Sequence, residues 1–302
     1  MPHHHGHDHA HIPADVHSRS FQVGIFLNLA FVIVEVTAGL WNGSMSLLTD
    51  AGHNASDVAG LLLSFFAFRL AKKKPTETFT YGYKKTTILA ALANAVVLLV
   101  AIGMLGWESV ARLRHPEPVA GNNIAWVAGA GILVNALSAF VFYRAGSKEL
   151  NMRSAYLHLL TDALVSAGVV AGGIAISYTH WYWIDPAIGI IVMIVIISST
   201  WQLLRDSFRM AADAVPPDIS LTEVIEVMRG VKHVADVTHV HVWSLSTTEH
   251  ALTAHILVRP ELSFDEKMKV VQEVRHTLEH HSIQHSTLEL ETGQAATATC
   301  EL

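Results

Sequence analysis

The chain has 302 residues, of which 51% are hydrophobic and only 15% charged, and its formal net charge is −6 with histidine neutral. Because soluble chains carry about 25% charged residues, this composition excludes an ordinary soluble enzyme, a coiled coil and a disordered protein. The negative charge disfavours nucleic-acid binding, which depends on neutralising phosphates. The single cysteine, Cys300, cannot form an internal disulfide. Histidine is as frequent as lysine and arginine together, at 20 residues, which suggests a membrane protein that handles a metal ion.

A histidine-rich tail opens the chain at residues 1–20, where the segment HHHGHDHAH holds six histidines in nine residues. This composition is compatible with a weak metal-gathering tether or with part of an expression tag, and the interleaved glycine and aspartate argue against a plain tag. We expect its deletion to change transport modestly without abolishing it.

Six apolar stretches follow, each close to the length of about 20 residues that a bilayer core requires. They predict a six-span helical membrane domain over residues 21–208, integral to the membrane and in contact with the lipid bilayer. The predicted spans are Phe21–Trp41, Leu47–Leu70, Ile88–Trp107, Ile124–Tyr143, Ala155–Tyr178 and Pro186–Leu204.

The distribution of lysine and arginine predicts the orientation of these spans. The tail, the even-numbered loops with the adjoining span ends, and residues 205–209 after the last span hold twelve of them, whereas the odd-numbered loops hold only Arg112 and Arg114. Since basic residues are enriched in cytoplasmic loops, both termini are expected in the cytoplasm, most simply at a bacterial inner membrane. The tryptophans near the opposite ends of the spans agree with this topology.

Two spans carry the same ionisable pattern within the predicted bilayer. His53 and Asp57 form His-x-x-x-Asp in the second span, and His158 and Asp162 repeat it in the fifth. Residues four apart share one helix face, and charges in a bilayer are costly enough to be functional by default. Two such faces would offer two imidazoles and two carboxylates, a donor set suited to tetrahedral Zn²⁺. A neutral loaded site that takes up protons when the metal leaves predicts exchange of a divalent metal for protons.

Each of the other polar residues in the spans has two possible roles. Asp50 lies one turn before His53 and either orients that ring from outside the ligand set or has a purely structural role. Five more residues either line a polar path or bond a neighbouring helix, namely Asn28, Glu35, Asn54, Asn94 and Asn135.

Beyond the spans, residues 209–292 alternate apolar and polar positions, which predicts a small domain of order αββαβ. Ser220 with Glu223, and Ser263 with Glu266, are capping-box patterns that would each open a helix. The domain is small enough for dimerisation to be plausible. Residues 293–302 are expected to be disordered.

Histidines in this C-terminal domain suggest a second metal site. His239 and His241 are two apart on a predicted strand and share its face, and His255 and His285 lie on the following strands, with Glu289 and Glu291 beyond. The alternative is a set of solvated side chains on an exposed face. The remaining histidines of the domain, His250 among them, are expected at the surface.

The motifs together resemble the cation diffusion facilitator family of bacterial zinc exporters. The resemblance runs from about residue 18 to 292 and rests on GSMSLLTDAGHNASD at 43–57, FTYGYKKTTILAALANAV at 79–96, NMRSAYLHLLTDAL at 151–164, DPAIGIIV at 185–192, HVHVWSL at 239–245 and LTAH at 252–255. It implies a homodimer with a metallochaperone-like cytoplasmic domain that exports Zn²⁺, with Cd²⁺ or Co²⁺ as further substrates, in exchange for H⁺. It also implies that the transport site comprises His53, Asp57, His158 and Asp162.

Two other functions would also place ionisable residues in the bilayer or a domain beyond it. An intramembrane metalloenzyme would usually show His-Glu-x-x-His, which the sequence lacks, so no enzymatic activity is expected. A membrane metal sensor that signals through the C-terminal domain is the alternative, although no recognisable output module follows that domain.

Overall fold

The computed structural model describes residues 19–144 and 150–292, and it describes side chains within 26–137 and 161–292. The histidine-rich tail and residues 293–302 therefore lie outside the described part. The structure divides into two compact units, one of residues up to 65 with 93–203, and the other of residues 66–92 with 204 onwards. The six predicted spans each lie within one helix: α1 (Arg19–Asn42), α2 (Met45–Ala71), α3 (Thr86–Arg114), α4 (Gly121–Arg144), α5 (Leu150–Thr179) and α6 (Ile184–Ala211).

The helices of the first unit are apolar outside and partly polar inside. Phe26, Ile33 and Trp126 are exposed, whereas Glu35 and Asn135 are buried. This inversion is what a lipid solvent requires, since polar groups must find partners within the protein. Among the described residues, three helical segments are long and apolar enough to cross a membrane, with a shorter apolar helix at Phe26–Asn42. The three segments are Thr86–Arg114, Thr161–Thr179 and Ile184–Ala211.

A buried carboxylate fixes the start of α2. Gly43 adopts a φ of 62° in the turn after α1, a conformation that glycine reaches without steric cost. Asp185, at the start of α6 and 1% exposed, then accepts hydrogen bonds from Ser44 Oγ at 2.6 Å, the Met45 amide at 2.6 Å, and Ser46 Oγ at 2.6 Å. These bonds satisfy donors that a helix N-terminus leaves open, and they join α2 to α6.

Helices α4 and α5 approach so closely that their backbones meet. A Cβ atom added at Gly173 of α5 would lie 2.7 Å from the Gly121 carbonyl oxygen and 2.8 Å from the Ala125 nitrogen of α4. By contrast, a Cβ atom at Gly168 of the same helix would meet no atom within 4 Å. The apolar core beside this contact includes Leu47, Ile102, Ile124, Val169, Ile176 and Ile196.

The C-terminal domain confirms the predicted element order. It comprises α7 (Leu221–Arg229), β1 (Val234–Ser244), β2 (His250–Val258), α8 (Phe264–His280) and β3 (Ile283–Thr292). The sheet has the order β1-β2-β3, with β1 and β2 antiparallel and β2 and β3 parallel. Its core contains Val224 and Met228 from α7, Val274 and Leu278 from α8, and Leu252 and Ile256 from β2.

Both predicted helix caps are present. The side chain of Ser220 accepts a hydrogen bond from the Glu223 amide at the start of α7. At α8 the capping box is complete, because Ser263 Oγ accepts from the Glu266 amide while the Glu266 carboxylate accepts from the Ser263 amide. The bonds from Ser263 lower the pKa of Glu266 below its ordinary value of 4.5.

The expectation that His250 lies at the surface is wrong, since only 2% of it is exposed. The residue opens β2 with its side chain turned inward. The ring lies 3.3 Å from Ser244 Oγ through Nδ1 and 3.3 Å from Asp218 Oδ2 through Nε2. Two polar partners offset the cost of burying an imidazole.

The segment joining α2 to α3 belongs to the same compact unit as the C-terminal domain. Lys84 pairs with Glu249 at 2.5 Å, and Lys85 pairs with Asp213 at 2.6 Å. In addition, the Thr247 amide donates to Thr87 Oγ1 at 3.1 Å. The turn between β1 and β2 is thereby attached to the start of α3.

Candidate metal centre

Three of the four predicted transport-site side chains are brought together in the first unit. His53 Nε2 lies 3.6 Å from Asp57 Oδ2 and 3.2 Å from Asp162 Oδ1. One potential ligand atom from each residue lies within 4.8 Å of those of the other two. The fourth residue, His158, is in α5 one turn before Asp162, but its side chain lies outside the described part of the structure.

Helix geometry explains this cluster. His53 and Asp57 are four residues apart on α2, so they share one face, and Asp162 reaches them from α5. The exposed fractions of the side chains are 13% for His53, 34% for Asp57 and 6% for Asp162. The site is therefore largely enclosed but retains access on the side of Asp57.

The donors are of the types that bind zinc. An imidazole nitrogen and two carboxylate oxygens suit Zn²⁺, with bonds of about 2.0–2.2 Å that require only a small inward movement of these side chains. The two aspartates together would balance the charge of a divalent ion. Low solvent exposure increases the importance of that balance, because a net charge is penalised strongly in an apolar medium.

A second polar group lies one helix turn from this cluster, towards the α1–α2 turn. Glu35 Oε2 accepts from Asn54 Nδ2 at 3.0 Å, joining α1 to α2. Asp50 Oδ2 accepts from Ser166 Oγ at 3.0 Å, joining α2 to α5. No sequence motif identifies Ser166, although its position four residues after Asp162 puts it on the same helix face.

In the C-terminal domain the structure brings His255 together with two acids from β3. His255 Nδ1 lies 2.7 Å from Glu291 Oε1, and His255 Nε2 lies 3.5 Å from Glu289 Oε2. Parallel pairing of β2 with β3 sets His255 opposite Glu289, which explains the cluster. The ring of His239 lies beside that of His255, with 4.7 Å between centroids.

The other two predicted histidines, His241 and His285, have different surroundings. A bulge in β1 places His239 and Val240 opposite the single residue between Thr253 and His255, and His239 adopts a φ of 49° there. His241 is exposed beyond the bulge. The structure does not bring His285 to the cluster, because its ring lies against Tyr81, 5.3 Å between centroids.

Comparison with protein families identifies the class of protein. The model of the cation efflux transmembrane domain matches residues 21–210. The model of the cation efflux protein cytoplasmic domain matches residues 216–292. The chain therefore belongs to the cation efflux family, whose members are membrane transporters of metal cations, in agreement with the resemblance found in the sequence.

Individual relatives are similar over most of their length. The zinc transporter ZitB of Shigella flexneri is 34% identical, over 100% of this chain and 96% of that protein. The cadmium, cobalt and zinc/H(+)-K(+) antiporter of Bacillus subtilis (strain 168) is 32% identical, over 89% of this chain and 88% of that protein. The metal cation efflux system protein CzcD of Cupriavidus metallidurans is 32% identical, over 96% and 93% respectively.

Proposed function

We propose that this protein exports Zn²⁺ from the cytoplasm in exchange for H⁺ by alternating access, with Cd²⁺ and Co²⁺ as further substrates. The observation that carries the proposal is the enclosed cluster of His53, Asp57 and Asp162. His158 would complete a tetrahedral set of two imidazoles and two carboxylates. A relative named as a zinc transporter and another named as a cadmium, cobalt and zinc/H(+)-K(+) antiporter support this substrate and this coupling.

The exchange follows from the charge of the ligands. With Zn²⁺ bound, the two aspartates balance the metal and the site is neutral. When the metal leaves, the site would hold two negative charges in an apolar region, so protons replace the metal. Two protons per zinc would move no net charge, whereas one would move a charge worth about 2.3 kcal/mol per 100 mV of membrane potential.

Zinc uptake into proteoliposomes with a pH gradient tests the site. Asp57→Ala and Asp162→Ala should each reduce zinc affinity by more than about 100-fold, because losing a ligand should exceed the effect of losing an outer partner. Glu108→Ala serves as the control, since Glu108 pairs only with Arg112 in the described structure, far from the cluster in sequence. Unchanged zinc-driven proton flux in both aspartate variants would refute the site.

The proposal includes the orientation and domain division expected from the sequence. Residues 1–20 would be a cytoplasmic tail, 21–208 the membrane domain, 209–292 a cytoplasmic dimer-forming domain and 293–302 a second tail. The single cysteine, Cys300, offers a direct test of orientation. A membrane-impermeant maleimide should label it in inside-out vesicles and not in intact spheroplasts, and the reverse pattern would refute the topology. Light scattering of the detergent-solubilised protein should give the mass of a homodimer.

We also propose that His255, Glu291 and Glu289 bind a second zinc ion in the C-terminal domain, with His239 beside them as a further ligand. Three donors from two adjacent strands converge there. His255→Ala in the full-length protein should lower the bound zinc by one ion per protomer. His276→Ala is the matched control, because this histidine is 72% exposed on α8. An unchanged metal content in His255→Ala would contradict the site.

A further inference from the structure

Two acidic side chains meet within the membrane domain without belonging to the metal cluster. Glu35 of α1 is 0% exposed and Asp50 of α2 is 1% exposed. Their carboxyl groups lie within hydrogen-bonding reach of each other. Burying two adjacent acids in an apolar medium costs free energy unless hydrogen bonds to their oxygens compensate for it.

Only half of their oxygen atoms have a hydrogen-bond donor. Asn54 donates to Glu35 Oε2 and Ser166 donates to Asp50 Oδ2, each at 3.0 Å. The remaining oxygens, Glu35 Oε1 and Asp50 Oδ1, are buried and have no donor among the residues whose side chains the structure describes. Both unsatisfied atoms therefore belong to the same pair of carboxyl groups.

A single proton on one of the two carboxyl groups would give the pair the hydrogen-bond donor that it lacks. Ionised carboxylates only accept hydrogen bonds, so two of them cannot bond each other, whereas one proton makes one group a donor to the other. Among the described side chains, α1 has no other ionisable group and α4 has none, and the only lysine or arginine of α2 is Arg69, nineteen residues after Asp50. Arg112 of α3 pairs with Glu108 and Glu117 and donates to the Gly43 carbonyl. His53 of α2 and Asp162 of α5 are the other ionisable groups that act on the pair electrostatically.

We propose that Glu35 and Asp50 form a proton-binding site, separate from the four metal ligands, that holds one proton for exchange against the metal. This inference rests on the proposed antiport. Asp50 lies between His53 and the first residue of α2, which the predicted topology places at the outer end. The pair can pass its proton to a ligand as the metal leaves, and it regains a proton from the outer solution. Zinc release and proton entry would then occur on the same side of the cluster.

Two zinc fluxes of the full-length protein in proteoliposomes distinguish this role from a structural one. Transport driven by a pH gradient requires proton binding and release, whereas exchange of radioactive for unlabelled zinc at equal pH does not. For Glu35→Gln we expect gradient-driven transport to fall by more than about tenfold, and zinc exchange by less than about threefold, since only the proton-transfer step is removed. Glu35→Asp keeps a carboxyl group and should recover part of the driven flux.

Thr49→Val is the matched control. Thr49 is buried and directly precedes Asp50 in the sequence. In the described contacts, its hydroxyl donates only to the Met45 carbonyl of its own helix. Its ratio of driven to exchange flux should equal that of the wild type. Infrared spectra of the zinc-free protein give a second measurement: compared with the wild type, Glu35→Gln should lose a buried carboxylic-acid band that Asp57→Ala retains.

If Glu35→Gln leaves both fluxes unchanged, or lowers both by the same factor, the proton site is overturned while the antiport remains intact. Replacement of Na⁺ and K⁺ by choline should not alter the driven flux. A requirement for either ion that Glu35→Gln abolishes would show that the pair binds a metal cation in place of the proton. Absence of zinc-driven proton movement in the wild type would instead refute the proposed antiport, and this inference with it.

Discussion

Replacing Asp185 should weaken the membrane domain more than any other single acidic residue outside the metal cluster. Its carboxylate accepts from Ser44 Oγ, the Met45 amide and both donors of Ser46, at 2.6 to 3.3 Å. Asp185→Ala would leave these buried donors without their acceptor and would also remove a negative charge from the N-terminus of α2.

The size of the effect follows from these bonds. A hydrogen bond to a charged group contributes about 1.5–3 kcal/mol, but bonds that share one carboxylate are not additive. Removing one partner of a buried charged network costs about 3–5 kcal/mol in total, and we expect that loss for Asp185→Ala. Asp185→Asn retains one carbonyl oxygen and should lose roughly half as much.

The assay is reversible unfolding of the purified protein in detergent, with zinc titration of the folded variants. Because α2 also carries His53 and Asp57, displacement of its start should weaken zinc binding as well as stability. Glu117→Ala is the control, since Glu117 is 69% exposed and its pairing with Arg112 is a surface contact. A loss below about 1 kcal/mol for Asp185→Ala, within the range of surface substitutions, would refute the proposed role of Asp185.

Three further predictions concern packing, capping and the buried histidine. Gly173→Ala should cost about 1–3 kcal/mol in detergent unfolding, because the new methyl group would press on the backbone of α4, whereas Gly168→Ala should be neutral or stabilising. Ser263→Ala should return the pKa of Glu266, followed by NMR, towards 4.5. Because the pKa is lowered in the folded protein, this contribution to stability is present above pH 4.5 and is lost as the pH falls through the lowered value. His250→Ala should cost about 2–3 kcal/mol, measured as faster amide hydrogen exchange in β2.

Each of these results has a contrary outcome. Equal stability of the two glycine variants would contradict the close approach of α4 and α5. An unaltered Glu266 titration in Ser263→Ala would contradict the cap. Unchanged exchange of β2 amides in His250→Ala, with His276→Ala as the surface control, would contradict the burial of that ring.

Local patterns were sufficient to predict the helices and the element order of the C-terminal domain. Apolar runs identify the six long helices because a bilayer selects for length and composition, and alternation identifies the strands because side chains point to opposite faces. The pairing of His53 with Asp57 was accessible for the same reason, since both residues lie on one helix face. Their approach to Asp162 required only that the His-x-x-x-Asp face of α2 and that of α5 face each other.

Contacts between distant segments could not be read from such patterns. Asp185 bonds residues about 140 positions earlier, and neither partner has a local feature that identifies the other. The position of His255 opposite Glu289 depends on β3 pairing in parallel with β2, which the alternation of β3 does not specify. The same pairing separates His285 from that cluster. The burial of His250 has no signal in the sequence, because burial at the first position of a strand depends on the side chains from other segments that contact it.

The backbone contact between α4 and α5 restricts how this transporter can change shape. Gly173 and Gly121 leave no layer of side chains over which these two helices could slide, so sliding would require them first to separate. Rocking of α5 relative to α2 would therefore carry α4 along as part of the same rigid body. Cross-linking α4 to α5 should be tolerated during turnover, whereas cross-linking α5 to α2 should arrest it.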